Sequence, residues 1–202
     1  MLRVGLTGGL ASGKSFVGQA LANLGCHLIR ADDLGHRALL PGGEAYDAVV
    51  HEFGEAIVDD EGMIDRRRLA ALVFNNPERL EKLNSIVHPP VIKRETEMED
   101  DIARRDPHAI AVVEAAILVE TGSYTRFQKL IVAFCSYEQQ IERAMRRDSY
   151  TKEEVIARLE RQLPLAEKIK VADYVIDTSG TKEHTLEQVR RVYDSLRALP
   201  EM

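Results

Sequence analysis

Residues 8–15, Gly-Gly-Leu-Ala-Ser-Gly-Lys-Ser, stand between a short apolar run at 2–6 and a helical pattern that begins at Phe16. They fit G-x-x-x-x-G-K-[ST], and the spacing has a physical reason. Glycines let the backbone curl closely, so that successive N–H groups converge on an anion. The helix that follows adds its positive N-terminal end. Lys14 then brings a compact cation to the β and γ phosphates of a nucleotide, and the Ser15 hydroxyl suits Mg²⁺. A glycine-rich turn can match such a pattern by chance, but the strand–turn–helix setting is the context the motif requires. The expected nucleotide-binding residues are therefore Gly8, Gly9, Ala11, Ser12, Gly13, Lys14, Ser15 and Phe16.

The rest of the chain is consistent with the fold that such a loop demands. Phe16, Val17, Ala20, Leu21 and Leu24 recur at helical spacing, and Gly25 is placed to end that helix. A second apolar run at 26–29 completes a strand–helix–strand unit of a parallel sheet. Runs at 109–113 and 130–135 are short, continuously apolar and rich in Ile and Val, as strands covered on both faces should be. A shorter run at 174–176 precedes a turn, and Leu186, Val189, Val192, Tyr193 and Leu196 mark one face of a closing helix. The expected fold is a three-layer α/β phosphate-loop NTPase domain spanning 1–202. Between the second and third strands lies a long stretch without strand pattern, with helices expected at 66–74 and 90–105 and a turn at 59–62. A single crossover helix needs far fewer residues, so about 34–106 reads as an inserted helical subdomain. Ser136-Tyr137-Glu138-Gln139 and Thr151-Lys152-Glu153-Glu154 have capping-box spacing and open two more helices, within a candidate lid at about 138–165.

Composition removes several functions. With 27 Lys and Arg against 33 Asp and Glu the formal net charge is −6, which argues against a broad basic face for nucleic acid. Much of the acid falls in residues 52–65 and 95–101, which contain no Lys or Arg, so the remainder is left basic enough for phosphates. No apolar run approaches the roughly 20 residues of a membrane span, and the opening residues read as a strand and not as a signal peptide. A cytoplasmic location is expected. Cys26 and Cys135 sit in apolar runs and read as buried thiols. His27, His36, His51, His108 and His184 show no metal-ligand spacing.

Asp59-Asp60-Glu61-Gly62 fits the D-x-x-G of a GTPase switch, but no Asn-Lys-x-Asp segment follows, and the four residues also make an ordinary turn. A compact kinase for a small acceptor fits better, and it needs a carboxylate beside the acceptor hydroxyl and arginines over the transferred group. Asp32 and Asp33 follow the second strand, where ligands sit in open α/β sheets. They suit proton transfer or a water-mediated Mg²⁺ contact, and equally the N-cap of the helix-like residues 34–39. Arg143 and Arg147 lie one helical turn apart and can fork onto phosphate oxygens, the plain alternative being a solvated hairpin paired with Glu142, Glu154 and Glu160. Glu114, after the third strand, suits a structural role or a water-mediated place near Mg²⁺. Arg66-Arg67-Arg68 reads as a surface charge run.

An ordered set of segments resembles the dephospho-coenzyme A kinase family. It comprises residues 5–9 with 12–15, Ala31-Asp32, residues 83–89 (Leu-Asn-Ser-Ile-Val-His-Pro), residues 117–120 (Ile-Leu-Val-Glu), Arg143 with Arg147, Arg158 with Gln162, and residues 172–177 (Ala-Asp-Tyr-Val-Ile-Asp). The resemblance implies ATP and dephospho-CoA as substrates, Mg²⁺ bound with ATP, Asp32 as general base, Lys14, Arg143 and Arg147 as catalytic cations, and His88 on the acceptor side. A nucleoside or nucleotide kinase of the same build and a nucleotide-dependent switch are the alternatives. Three residues depart from the family pattern: Arg30 for an aspartate, Ala11 for a glycine, and Thr178 for a common asparagine. Alanine at position 11 predicts ordinary backbone angles there.

Overall fold

A computed structural model describes residues 1–73, 76–148 and 150–199 of the chain. Five strands, β1 (Leu2–Gly8), β2 (His27–Arg30), β3 (Ile110–Glu114), β4 (Lys129–Phe134) and β5 (Tyr174–Asp177), form one parallel sheet in the order β2-β3-β1-β4-β5. The register sets Leu6 opposite Glu114 and Arg30 opposite the same residue, so three strands end together where the glycine-rich loop begins. Helix α1 (Lys14–Asn23) leaves that loop. It ends where expected: Gly25 has φ +106° and the Cys26 N–H reaches back to the Leu21 carbonyl, a left-handed turn that glycine makes at no steric cost.

The sheet alternates its side chains between two covered faces. Val4, Leu6, Val112 and Ile131 pack with Val17 and Leu21 of α1 and with Val189 of α9 (Lys182–Arg197). On the other face, a Cβ added at Gly5 would lie 2.9 Å from Phe127 and 3.1 Å from Leu118, so the segment after β3 covers β1 there. Thr7 on the same face donates to the Ala116 carbonyl (3.2 Å). The layered α/β arrangement expected from the sequence is present.

The chain divides into two compact units, Met1–Arg30 with Asp101–Met202, and Ala31–Asp100. The second holds α2 (Ala31–Ala38), α3 (Tyr46–Phe53) and α4 (Arg66–Val73), and most of α5 (Pro77–Arg105). Its core is built from Ala45, Val49, Ile57, Ile64, Leu69 and Val73. The expected turn at 59–62 is present, closed by the Gly62 N–H on the Asp59 carbonyl and flanked by an antiparallel bridge between Val58 and Ile64. Asp65 caps α4 by accepting from the Arg67 and Arg68 amides, and those hydrogen bonds hold its carboxyl below the usual range. Arg66, Arg67 and Arg68 are exposed, with Arg68 donating to the Ala56 and Val58 carbonyls. Phe74, the expected last residue of that helix, lies outside the described residues.

One helix is longer than the sequence predicts. α5 starts at Pro77, with Asn76 accepting from the Arg79 amide as a cap, and continues through Pro89 and Pro90 to Arg105. Pro77 costs nothing at the first helical position. The two internal prolines each delete one i→i−4 bond, yet flanking turns on both sides carry the helix through. His88 therefore lies inside this helix.

Cys26 and Cys135 are free and buried. Burial pushes the Cys26 thiol from 9.0 up to about 11. The unfolded chain therefore loses that proton at lower pH than the folded one, and stability falls as pH rises through this window. The loss amounts to at most about 3 kcal/mol. Cys26→Ala should flatten the fall in urea-unfolding free energy between pH 9 and pH 11, with the parent steeper over the same range.

Candidate active site

Gly8 and Gly9 close β1 under two constraints of space. A Cβ on Gly8 would lie 2.3 Å from the Ser12 hydroxyl, and one on Gly9 2.4 Å from the Gln140 side-chain nitrogen. The loop then turns through Ala11 at φ +54°, the one non-glycine with positive φ among the described residues, and Gly13 at φ +86°. Ordinary angles at Ala11 are thus corrected. The loop's path imposes a left-handed residue there, and alanine accepts it at a cost of about 1–2 kcal/mol. Gly13 caps α1, and an added Cβ would meet Thr178 at 3.0 Å. Phe16 follows in the first turn of α1, its N–H on the Gly13 carbonyl.

Lys14 and Ser15 meet on one carboxylate. Glu114 Oε1 accepts from Lys14 Nζ at 3.1 Å and from the Ser15 hydroxyl at 2.6 Å. Arg30 Nε lies 3.6 Å from the other oxygen, and its guanidinium also donates to Gln19 (2.9 Å). Glu114 is almost fully buried, at 3 % exposure, and Oε2 has no hydrogen-bond partner. Arg30, which the family pattern would make an aspartate, is thus drawn to Glu114 as a counter-ion. Close approach of α1 to β3 is needed for this, and Gly18 permits it: an added Cβ would lie 2.9 Å from Glu114 Oε2.

Ser15 and Glu114 offer two hard oxygens at one place, one of them carrying an orphaned lone-pair oxygen. Such a pair fits Mg²⁺, which keeps waters and takes the rest of its shell from phosphates. Among the described residues no group of three or more His, Cys, Asp or Glu side chains could hold a metal.

Arg143 and Arg147 lie on α6 (Tyr137–Asp148). Ser136 and Gln139 form the expected capping box at its start (3.2 and 3.3 Å), and Thr151 with Glu154 forms the second, opening α7 (Lys152–Leu159). Arg143 is half-buried and donates to the Thr178 hydroxyl (3.1 Å) and carbonyl (2.7 Å). Thr178 in turn donates to the Ser12 carbonyl (2.7 Å). Arg147 is exposed in the last turn of α6. Of the remaining candidates, Asp32 is exposed in the first turn of α2, and His88 is half-buried in α5, where burial holds its imidazole below the ordinary value. Both belong to the unit Ala31–Asp100. The N-cap role considered for Asp32 and Asp33 is corrected, because α2 begins at Ala31 and places both inside its first turn. There an acidic side chain favours the helix dipole.

One functional neighbour, Lys168, is not legible in the sequence, whereas its partner Glu120 ends the 117–120 segment. Lys168, in the short helix α8 (Leu165–Ile169), is fully buried and donates to the Ala116 carbonyl (2.8 Å), with Glu120 2.7 Å away. Burial pushes its ammonium below the usual lysine range while Glu120 opposes that. Glu120 also accepts from the Leu163 amide (3.1 Å). Nothing local marks Lys168, since a lone lysine in a short amphipathic stretch reads as surface.

A glycine-rich loop between the central strand of a parallel sheet and a helix, with Lys14 and Ser15 converging on a buried acid, defines a phosphate-loop nucleotide-binding protein. The family model described as dephospho-CoA kinase matches residues 2–184. The chain belongs to the dephospho-CoA kinase family. A protein of Aquifex aeolicus named dephospho-CoA kinase is 42% identical over 200 residues, covering 99% of this chain and 100% of that protein. A solved Thermus thermophilus structure is 32% identical with a TM-score of 0.81, covering 96% of each chain. The solved dephospho-CoA kinase from Campylobacter jejuni is 25% identical with a TM-score of 0.61, again over 96% of each chain. Among the described residues no helix is long and apolar enough to cross a membrane.

The strained alanine gives a direct test. Ala11→Gly should raise the unfolding free energy by about 0.5–1 kcal/mol, because relief of the left-handed strain exceeds the added freedom of the unfolded chain. Urea unfolding of both proteins measures it.

Proposed function

We propose that the chain transfers the γ-phosphoryl group of ATP to the 3′-hydroxyl of dephospho-CoA, giving CoA and ADP, the last step of coenzyme A synthesis. Family membership across residues 2–184, in a chain whose phosphate loop is complete, carries this reading. Lys14 and the loop amides bind the triphosphate. The Lys14 ammonium exchanges its contact with Glu114 for phosphate oxygens as ATP enters. Ser15 and Glu114 would hold Mg²⁺, which when bound would supply positive charge against the triphosphate. Asp32 accepts the proton of the 3′-hydroxyl as that oxygen bonds to the γ-phosphorus and the bond to ADP breaks. Arg143 and Arg147 screen charge on the transferring group, and closure of residues 138–165 as a lid keeps water out. The helical unit takes the acceptor, with His88 on that side. The low pKa of its imidazole suits a neutral hydrogen-bonding role near pH 7.

Dephospho-CoA should stimulate ADP release while nucleosides and nucleoside monophosphates leave it at the background rate. Absence of any acceptor dependence would rule out the transferase. Removal of divalent ions with EDTA should abolish the reaction and added Mg²⁺ restore it. Asp32→Asn should lower kcat by about 10²–10⁴-fold with the KM for ATP little changed; near-normal turnover would leave Asp32 a helix-end residue only. Arg147→Ala should slow turnover about 10²-fold in a protein that still unfolds cooperatively.

A further inference from the structure

Both polar backbone groups of Leu10, at the crest of the phosphate loop, are taken by glutamines. The Leu10 N–H donates to Gln162 Oε1 at 2.8 Å, and the Leu10 carbonyl accepts from Gln140 Nε2 at 2.7 Å. Gln140 lies on α6 and is buried at 5 % exposure; Gln162 follows α7 and is half-buried. The side chains of Leu10 and Ala11 pack on the apolar seam of the same two helices, against Ile141, Ala144, Val155 and Leu159.

We infer that Gln140 and Gln162 are positioning residues that hold the phosphate loop in its anion-binding shape and tie that shape to α6, which carries Arg143 and Arg147. The reason lies in the peptide group. A trans peptide is planar, so its N–H and C=O point in opposite directions. With the Leu10 carbonyl held toward Gln140, the Ala11 N–H must face away from α6. With the Leu10 N–H held toward Gln162, the Gly9 carbonyl must face the other way, where it accepts from the Ser12 amide at 3.2 Å. The glutamines therefore orient the two peptides that flank Leu10. They also explain a left-handed alanine: Ala11 follows directly on a carbonyl whose direction is pinned from outside the loop. Gly9 belongs to the same device, since a side chain there would displace the Gln140 amide.

The clasp sits at the base of the helical hairpin and not at its tip. Motion of the hairpin as a whole would pull on Leu10, whereas motion of its far end would not. Nucleotide in the loop and the position of the arginine-bearing helix are thus coupled through two hydrogen bonds. Replacing either glutamine by leucine keeps the volume and removes one of them.

The inference rests on the proposed reaction only for its kinetic arm. Binding of Mg·ATP is measured by calorimetry for the parent, Gln140→Leu, Gln162→Leu and the double variant, with thermal unfolding alongside. Each single variant should bind about tenfold more weakly, the loss of one net hydrogen bond. The double variant should fall within about twofold of the weaker single variant, because both substitutions release the same residue. The KM for dephospho-CoA should stay within about twofold, which general loosening of the fold would not spare. Should Gln140→Leu fail to fold, Gln162→Leu decides the matter by the same split between ATP affinity and acceptor KM. A folded Gln162→Leu variant with parental affinity for Mg·ATP overturns the inference, as do losses that multiply in the double variant. If the parent binds Mg·ATP and the variants respond as expected, but dephospho-CoA is not phosphorylated, the reaction is wrong and the clasp stands.

Discussion

A carboxylate buried at the end of a parallel strand must have donors and cations brought to it, because an unpaired charge there is costly. Glu114 draws them from two neighbouring segments: Lys14 and Ser15 from the start of α1, and Arg30 from the end of β2. Its position fixes how far α1 can sit from β3, and hence why residue 18 is glycine. It also holds the two side chains expected to meet the triphosphate and its metal at the mouth of the loop. Fold and site share this one interaction, so a substitution at Glu114 would disturb both.

The loop itself is supported from two other sides. Thr178, just after β5, donates to the Ser12 carbonyl and receives Arg143, so the residue that departs from the family pattern props the loop directly. At the crest of the loop, Gln140 and Gln162 hold Leu10. Neighbouring Lys168 and Glu120 stitch the chain after α7 back onto the segment that follows β3. These contacts are long in sequence and short in space. They account for a loop that keeps a strained alanine where glycine is easier.

Much of this was legible beforehand. The inner strands β3 and β4 announce themselves because strands covered on both faces must be continuously apolar, and both capping boxes are local patterns with local hydrogen bonds. Gly25 and the 59–62 turn were equally plain, since φ beyond zero leaves few residue choices. The misses have a common cause. Ala11 was expected to be relaxed because alanine is; its angle is set by bonds to its neighbour from residues far along the chain. The sequence pattern starts a helix only at residue 90; the structure starts it at Pro77, and the turns on either side of Pro89 and Pro90 carry it through. Lys168 carried no local signal at all, since only burial distinguishes it from a surface lysine.

The sequence by itself determined the class of protein. A strand, a glycine-rich turn with Lys and Ser at its end, and a helix are local features, and local geometry alone makes them an anion site. It also determined the family, through segments whose order along the chain is specific. The tertiary structure decided which partners those residues meet: Glu114 for Lys14 and Ser15, Thr178 for Arg143, and two glutamines for Leu10. Such pairings depend on which segments the sheet order brings side by side, and a parallel sheet with crossovers joins residues far apart along the chain, as with Leu10 and Gln162.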